Sequence, residues 1–282
     1  MTISDRPTTR EEAFMSEFAK TVAVITGGTR GIGRALAGTL ARAGATVVFS
    51  YRTRGDLAEK VQAQITADGG QALALQSDIE DPDSVRRLLA EAVQTYGRLD
   101  HFVANAAAGP FKPVSRLDPH HLDRSYATGA RAFALAAQHA AELIMSSTPD
   151  GRIVAVSSFG ADQALPYYAA VGVQKAAIEA WVRYLACAYA PRLNVNAVSG
   201  GLIATDSLSL YAGTSGMDLG EAATCIPARR LGTAQEIADT IAFLLSPRAS
   251  YITGQTLTVD GGMAAASAVP PHFEVSGEQS PE

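Results

Sequence analysis

The chain has 282 residues, 47% of them hydrophobic and 18% charged, which is enough apolar side chain for a large folded core and excludes a disordered protein. Its 23 basic and 28 acidic residues leave a net charge of −5, so a broad basic face for nucleic acid is not expected. Two cysteines, Cys187 and Cys225, make neither a disulfide framework nor a multi-cysteine metal site, and no His, Cys or carboxylate spacing is that of a metal centre.

Residues 1–19 read as a polar arm or a short helix. From Thr21 short β-branched runs alternate with longer helical patterns. The predicted order is strand 21–26, helix 31–43 stopping at Gly44, strand 46–50, helix 55–67, strand 72–76 and helix 81–96. Strand 100–104, helix 119–145, strand 152–156, helix 167–189 and strand 193–198 follow. An irregular segment 206–230, helix 234–246 and strand 255–259 complete the series. Strands separated by segments long enough for right-handed crossover helices predict a parallel sheet covered on both faces. Seven strands with no break in composition predict one α/β domain over 20–263. The tail 264–282, rich in small residues, Pro and Ser, reads as disordered or as a cover for a neighbouring subunit. No apolar run approaches the roughly 18–20 residues of a membrane span, and the acidic start is not that of a secretory signal. A cytoplasmic chain without membrane association is therefore expected.

The most informative early stretch is Thr26-Gly27-Gly28-Thr29-Arg30-Gly31-Ile32-Gly33, between the first strand and the first helix. Gly27 and its neighbours permit a tight turn with positive φ. Gly31 lets backbone approach a pyrophosphate, and Gly33 lets helix and strand pack closely. The freed N–H groups and the helix dipole favour an anion. An ordinary β–α turn is the plainer reading, but strand, turn and helix in register predict dinucleotide binding and a Rossmann-type, doubly wound seven-stranded sheet. The next strand ends at Ser50-Tyr51-Arg52-Thr53-Arg54, without the Asp or Glu that would accept from a ribose 2′-OH. Arg52 offers a guanidinium for a 2′-phosphate instead, and Arg30 can reach the same region, so the expected cofactor is NADPH. Otherwise Arg52 and Arg54 simply cap a solvated helix start.

Through these segments and those that follow, residues 20–263 resemble the short-chain dehydrogenase/reductase family. The resemblance implies that Asp78-Ile79 contacts adenine and that Asn105, in Asn105-Ala106-Ala107-Ala108-Gly109, steadies the central strand. It puts the catalytic serine at Ser157-Ser158. It assigns Ser199-Gly200-Gly201-Leu202-Ile203-Ala204-Thr205 to holding nicotinamide, with Gly200, Ile203 and Thr205 among the contacts and Ser199 in place of Pro. Asp260-Gly261-Gly262 closes the last strand. Two positions depart from the commonest pattern. Position 171 is Val where Tyr stands four before the lysine, and helix 119–145 contains no Asn for the family's tetrad. Tyr168-x6-Lys175 has instead the spacing of the enoyl-acyl carrier protein reductases. Gly160-Ala161, Pro166-Tyr167-Tyr168, Gly172 and Lys175-Ala176 are similar to them as well. Asn194 through Gly201 and Thr205-Asp206 look most like the NADPH-dependent enoyl reductase III group.

On an ideal helix seven residues bring Tyr168 within about 20° of the face of Lys175, whereas Tyr167 turns some 80° away and is left to line the pocket or pack. The acid then lies about 4.5 Å further along the helix than with a four-residue spacing. That suits an oxygen three bonds from the hydride acceptor, as in conjugate reduction. The expected reaction is hydride transfer to an α,β-unsaturated thioester, with Tyr168 on the developing enolate oxygen, Lys175 on the nicotinamide ribose and Ser158 sharing the substrate oxygen. A ketoreductase or alcohol dehydrogenase and a non-catalytic dinucleotide-binding regulator are the alternatives. Segment 206–227 is the expected lid. Arg229-Arg230 is either a docking point for an acidic acyl carrier protein or phosphopantetheine, or a solvated basic pair. Cys187 is expected in the core or an interface, and the Ala- and Leu-rich helix 176–190, with Trp181 and Tyr184, is expected to pair in a homo-oligomer.

Overall fold

A computed structural model describes residues 17–266; the expected arm and tail lie almost wholly outside the described residues. The element order is β1 (Val22–Ile25), α1 (Gly31–Arg42), β2 (Thr46–Tyr51), α2 (Gly55–Ala67), β3 (Gln71–Gln76), α3 (Pro82–Tyr96) and β4 (His101–Ala104). Then come α4 (Pro119–Tyr126), α5 (Ala132–Ser147), β5 (Gly151–Ser158), α6 (Ala169–Tyr189) and β6 (Leu193–Gly200). The chain continues through α7 (Asp206–Ser215), α8 (Leu219–Cys225), α9 (Ala234–Leu245) and β7 (Thr256–Val259). The seven strands form one sheet in the order β3-β2-β1-β4-β5-β6-β7, every pair parallel.

Alternation along the strands sorts side chains into two cores. Ala23 and Ile25 of β1 face one core, with Leu36 and Leu40 of α1, Val61 of α2 and Ile237 and Ile241 of α9. Val24 faces the other, with Leu89 of α3, Phe133 and Ile144 of α5, and Ile178 and Val182 of α6. Strands buried on both faces explain the continuous β-branched runs. The strand order reverses between β1 and β4, which opens a crevice at the carboxyl ends where doubly wound sheets bind ligands.

Three expectations are corrected. Helix 119–145 is uninterrupted but not α-helical throughout: a π-helical turn, Ala127–Arg131, lies between α4 and α5. Its Thr128 hydroxyl has one proton to donate and lies within reach of two carbonyls, those of Ala108 (2.7 Å) and Arg124 (2.9 Å). Gly129 leaves room for the Gln174 side chain, whose Oε1 would stand 1.7 Å from a Cβ added there. These tertiary contacts leave no periodicity signal in an Ala-rich stretch. Segment 206–230 is not irregular, since α7 is capped by Thr205 and α8 by Asp218, each accepting from first-turn N–H groups. Gly and Ser mask the helical pattern. Cys187 is exposed rather than in the core. Among the described residues no helix is long and apolar enough to cross a membrane, and no group of three His, Cys, Asp or Glu could hold a metal ion.

Gly129→Ala is expected to destabilise the fold by about 1–3 kcal/mol, the usual range for overpacking. The added methyl must displace the buried Gln174. A urea unfolding curve superimposable on wild type would contradict this account.

Candidate active site

A cavity of about 610 Å³ opens along the carboxyl ends of the strands, between the glycine turn and α7. At its floor Gly27 and Gly31 take φ of 76° and 53°, the left-handed region that glycine enters without a Cβ penalty. Gly33 does not line the cavity. It is a packing residue: a Cβ there would lie 2.0 Å from the Gly27 carbonyl oxygen and 2.6 Å from Asn105 Nδ2. Asn105 Nδ2 donates to the Thr26 and Gly27 carbonyls at 3.0 and 2.8 Å. Thr26 Oγ1 in turn accepts from the backbone N–H of Asn105 and of Ala106, both at 3.1 Å. Asn105 thus ties the turn to the end of β4. Arg30 at the N-cap of α1 makes no side-chain cap, so first-turn N–H groups of α1 face the cavity without that partner.

Thr29, Arg30, Ile32, Arg52 and Ile79 line the same end. The two arginines after β2 differ in use. Arg54 is tied to Asp56 by two bonds of 2.8 and 2.6 Å, which draws the Asp56 carboxyl down to about 2. Arg52 is exposed on the cavity rim, with no ion pair among the described residues. Arg30 reaches Asp206 at 3.4 Å in an exposed pair that contributes little. Asp78 does not line the cavity. Its Oδ1 accepts from the Glu80 N–H at 3.0 Å, and Ser77 and Ile79 present that segment instead.

At the other end the structure brings Ser158, Tyr168 and Lys175 to one wall, with Gly200, Ile203 and Thr205 beside them. Tyr168 is the N-cap residue of α6 rather than a helical position, so its aim is set by the turn before it and not by the helix face. Tyr167, in that turn, takes φ of 63°, packs in the small apolar cluster under α7 and does not line the cavity. The Tyr168 hydroxyl donates to Ser158 Oγ at 3.1 Å, and its ring stacks on Phe111 at 5.7 Å. Gly160 makes way for it, since a Cβ there would lie 2.6 Å from the Tyr168 ring. Burial pushes the Tyr168 phenol above its ordinary value, partly opposed by the Ser158 bond, so it remains a neutral O–H donor.

Lys175 is buried, and its Nζ donates to the Val156 carbonyl at 2.6 Å, which leaves two of its three N–H donors for the cavity. Burial brings its ammonium down to about 8, against the pull of Glu179. Glu179 is itself buried one turn later on α6, with Ser157 Oγ donating to its Oε1 at 2.5 Å. Sequence reasoning missed Glu179, though its i+4 relation to Lys175 was a usable signal. It also missed Phe111, Tyr211 and Gln174, which come from distant segments and carry no local signature. Arg229 and Arg230 are internally engaged: Arg230 holds Glu236 at 2.6 and 3.0 Å, and Arg229 donates to the Thr224 carbonyl at 2.5 Å.

A nicotinamide dinucleotide suits this donor set. The glycine cradle and uncapped helix start can take a pyrophosphate, and the spare donors of Lys175 can take ribose hydroxyls.

A family model described as enoyl-(acyl carrier protein) reductase matches residues 27–264. The 1-cyclohexenylcarbonyl-CoA reductase of Streptomyces collinus is 54% identical over 259 residues, 91% of each chain. Among solved structures, a 7α-hydroxysteroid dehydrogenase complexed with NADH and 7-oxo glycochenodeoxycholic acid superposes with a TM-score of 0.82 at 32% identity, over 89% of this chain and 96% of that one. A short-chain dehydrogenase from Burkholderia cenocepacia in complex with NADP gives 0.81 at 31% identity, over 88% and 99%. Matches of this extent, to a fold and a cleft of this construction, place the chain in the short-chain dehydrogenase/reductase family, as an oxidoreductase of its enoyl reductase-like group.

Proposed function

We propose that the protein is an NADPH-dependent reductase of the carbon–carbon double bond in α,β-unsaturated acyl thioesters. The observation that carries this reading is the seat of the acid. Tyr168 stands ahead of α6, seven residues before Lys175, with its hydroxyl on Ser158 in the cleft. The Streptomyces relative, named as a reductase of a cyclic enoyl thioester, supports it.

When bound, the reduced nicotinamide supplies the hydride that adds to the β-carbon. Tyr168 donates its O–H to the thioester oxygen, where negative charge builds as the double bond is reduced. Ser158, already bonded to Tyr168, orients that hydroxyl and shares the same oxygen. Protonation at the α-carbon completes the saturated thioester. Lys175 binds the ribose hydroxyls and adds positive potential beneath the phenol. Arg52 selects the 2′-phosphate of NADPH, because its guanidinium lies on the rim without a carboxylate partner among the described residues. The residues proposed to hold the cofactor are Gly27, Thr29, Arg30, Gly31, Ile32, Gly33, Arg52, Asp78, Ile79, Asn105, Lys175, Gly200, Ile203 and Thr205. Gly33 acts by packing the turn, and Asp78 through the segment it shapes.

Carbonyl reduction is the second reading, favoured by the likeness to a dehydrogenase bound to a 7-oxo bile acid. The carrier is coenzyme A or an acyl carrier protein; the internal engagement of Arg229 and Arg230 gives no support to carrier docking at that pair. The exposed Val173 and Tyr184 on α6 support assembly into a homo-oligomer through that helix.

The test is NADPH oxidation with matched enoyl and keto thioesters, linear and cyclic, on coenzyme A and on a carrier protein. Turnover of enoyl thioesters with saturated products is expected. Activity confined to ketones overturns the reading.

A further inference from the structure

The turn that carries Tyr168 is held from a separate helix, α7. Tyr211 lies on α7, 43 residues beyond Tyr168 in the chain, and is only 3% exposed. Its hydroxyl donates to the Pro166 carbonyl at 3.0 Å. Its ring meets Tyr168 edge-on at 5.5 Å and Phe111 at 5.3 Å. The turn it grips needs holding, because Tyr167 sits at a φ of 63° that a non-glycine residue adopts only under constraint. Two other bonds act there: the Lys112 N–H donates to the Tyr167 carbonyl at 2.9 Å, and the Tyr168 N–H to the Leu165 carbonyl at 3.2 Å. Neither reaches α7. Leu208 of α7 shares the apolar cluster of Leu165, Tyr167 and Tyr168, but among the described residues the Tyr211 hydroxyl makes the one hydrogen bond from this turn to α7, the helix that begins directly after the cavity-lining Thr205.

We infer that Tyr211 is a positioning residue for Tyr168: its hydroxyl, anchored on Pro166, holds the Leu165–Tyr168 turn in the one conformation that aims the phenol at Ser158 and the substrate oxygen. The inference rests on the proposed role of Tyr168 as donor, and it extends that role to the neighbouring helix α7. The acid is aimed correctly only while α7 is seated against the cleft. Seating of α7 over substrate and placement of the donor are therefore one event.

Tyr211→Phe isolates the claim, since it keeps both ring contacts and removes only the hydroxyl. Two readouts are taken. Hydrogen exchange of the protein without ligands, read by mass spectrometry, should show peptides spanning 159–168 exchanging about tenfold faster, the worth of one hydrogen bond, with α5 unchanged as the control. In steady state kcat should fall about tenfold with KM for NADPH and thioester unchanged, a split that general loosening of the fold would not produce. Wild-type exchange, or faster exchange with wild-type kcat, overturns the inference. Loss of protection in α5 as well also overturns it, because the role is then merely structural. If the wild type reduces ketones and not enoyl thioesters, the proposed function fails while the exchange result and the kcat on ketone still decide Tyr211.

Discussion

Tyr168→Phe is expected to lower kcat on an enoyl thioester by a factor of about 10²–10³, the usual loss for one donor to a developing oxyanion. NADPH affinity should change less than about twofold. The reasoning is local. The phenylalanine ring keeps its stacking on Phe111 and its edge contact with Tyr211, so the turn and the cleft wall persist. What disappears is the O–H that bonds Ser158 Oγ at 3.1 Å and that the substrate oxygen would take over. Ser158 remains as a weaker donor, which sets a floor to the loss. Steady-state rates with a fluorescence titration of NADPH check both halves. Unimpaired turnover would show that another hydroxyl does the work. A comparable loss of NADPH binding would mean that the ring, not the donor, had been the issue.

The second large effect concerns the other end of the cleft. Arg52→Ala should weaken NADPH binding about 10–100-fold and leave NADH binding nearly unchanged, as expected when hydrogen bonds to a charged phosphate are removed from a partly exposed site. Arg54→Ala is the control and should do neither, because Arg54 is already bonded twice to Asp56 in front of α2. The ratio of the two dissociation constants is the quantity to measure. Equal losses for both cofactors would place Arg52 on some shared part of the dinucleotide. No loss at all would move the 2′-phosphate contact to Arg30. Raised ionic strength should reduce the preference for NADPH, since the proposed contact lies on the rim.

Much of this molecule was legible without coordinates. The central strands β1, β2, β4, β5 and β6 are largely apolar and buried on both faces, so the parallel sheet follows from runs that leave no polar face, while the edge strands β3 and β7 are partly exposed. The glycine turn is equally local: Gly27 and Gly31 need positive φ, Gly33 needs the absence of a Cβ, and all fall within seven residues. Arg52 stands out in the sequence because a guanidinium occupies the strand end where a carboxylate would accept from a ribose hydroxyl, and its role stays a proposal. Tyr168 and Lys175 do line one cleft, but not for the helix-face reason, since Tyr168 precedes the helix and owes its direction to the turn at Tyr167.

What the chain by itself determined, then, was whatever depends on neighbours a few residues apart: strand and helix type, the phosphate turn, and the types of group available for chemistry. The tertiary structure alone decided the rest. The π-helical turn at Ala127–Arg131 lies where Gln174 of another helix fills the space at Gly129. The low-lying ammonium of Lys175 comes from burial by elements that surround α6, and the aim of Tyr168 from Ser158, Phe111 and Tyr211 in three separate segments. Solvation and orientation are properties of everything packed around a group, and no periodicity along a single strand of text records them.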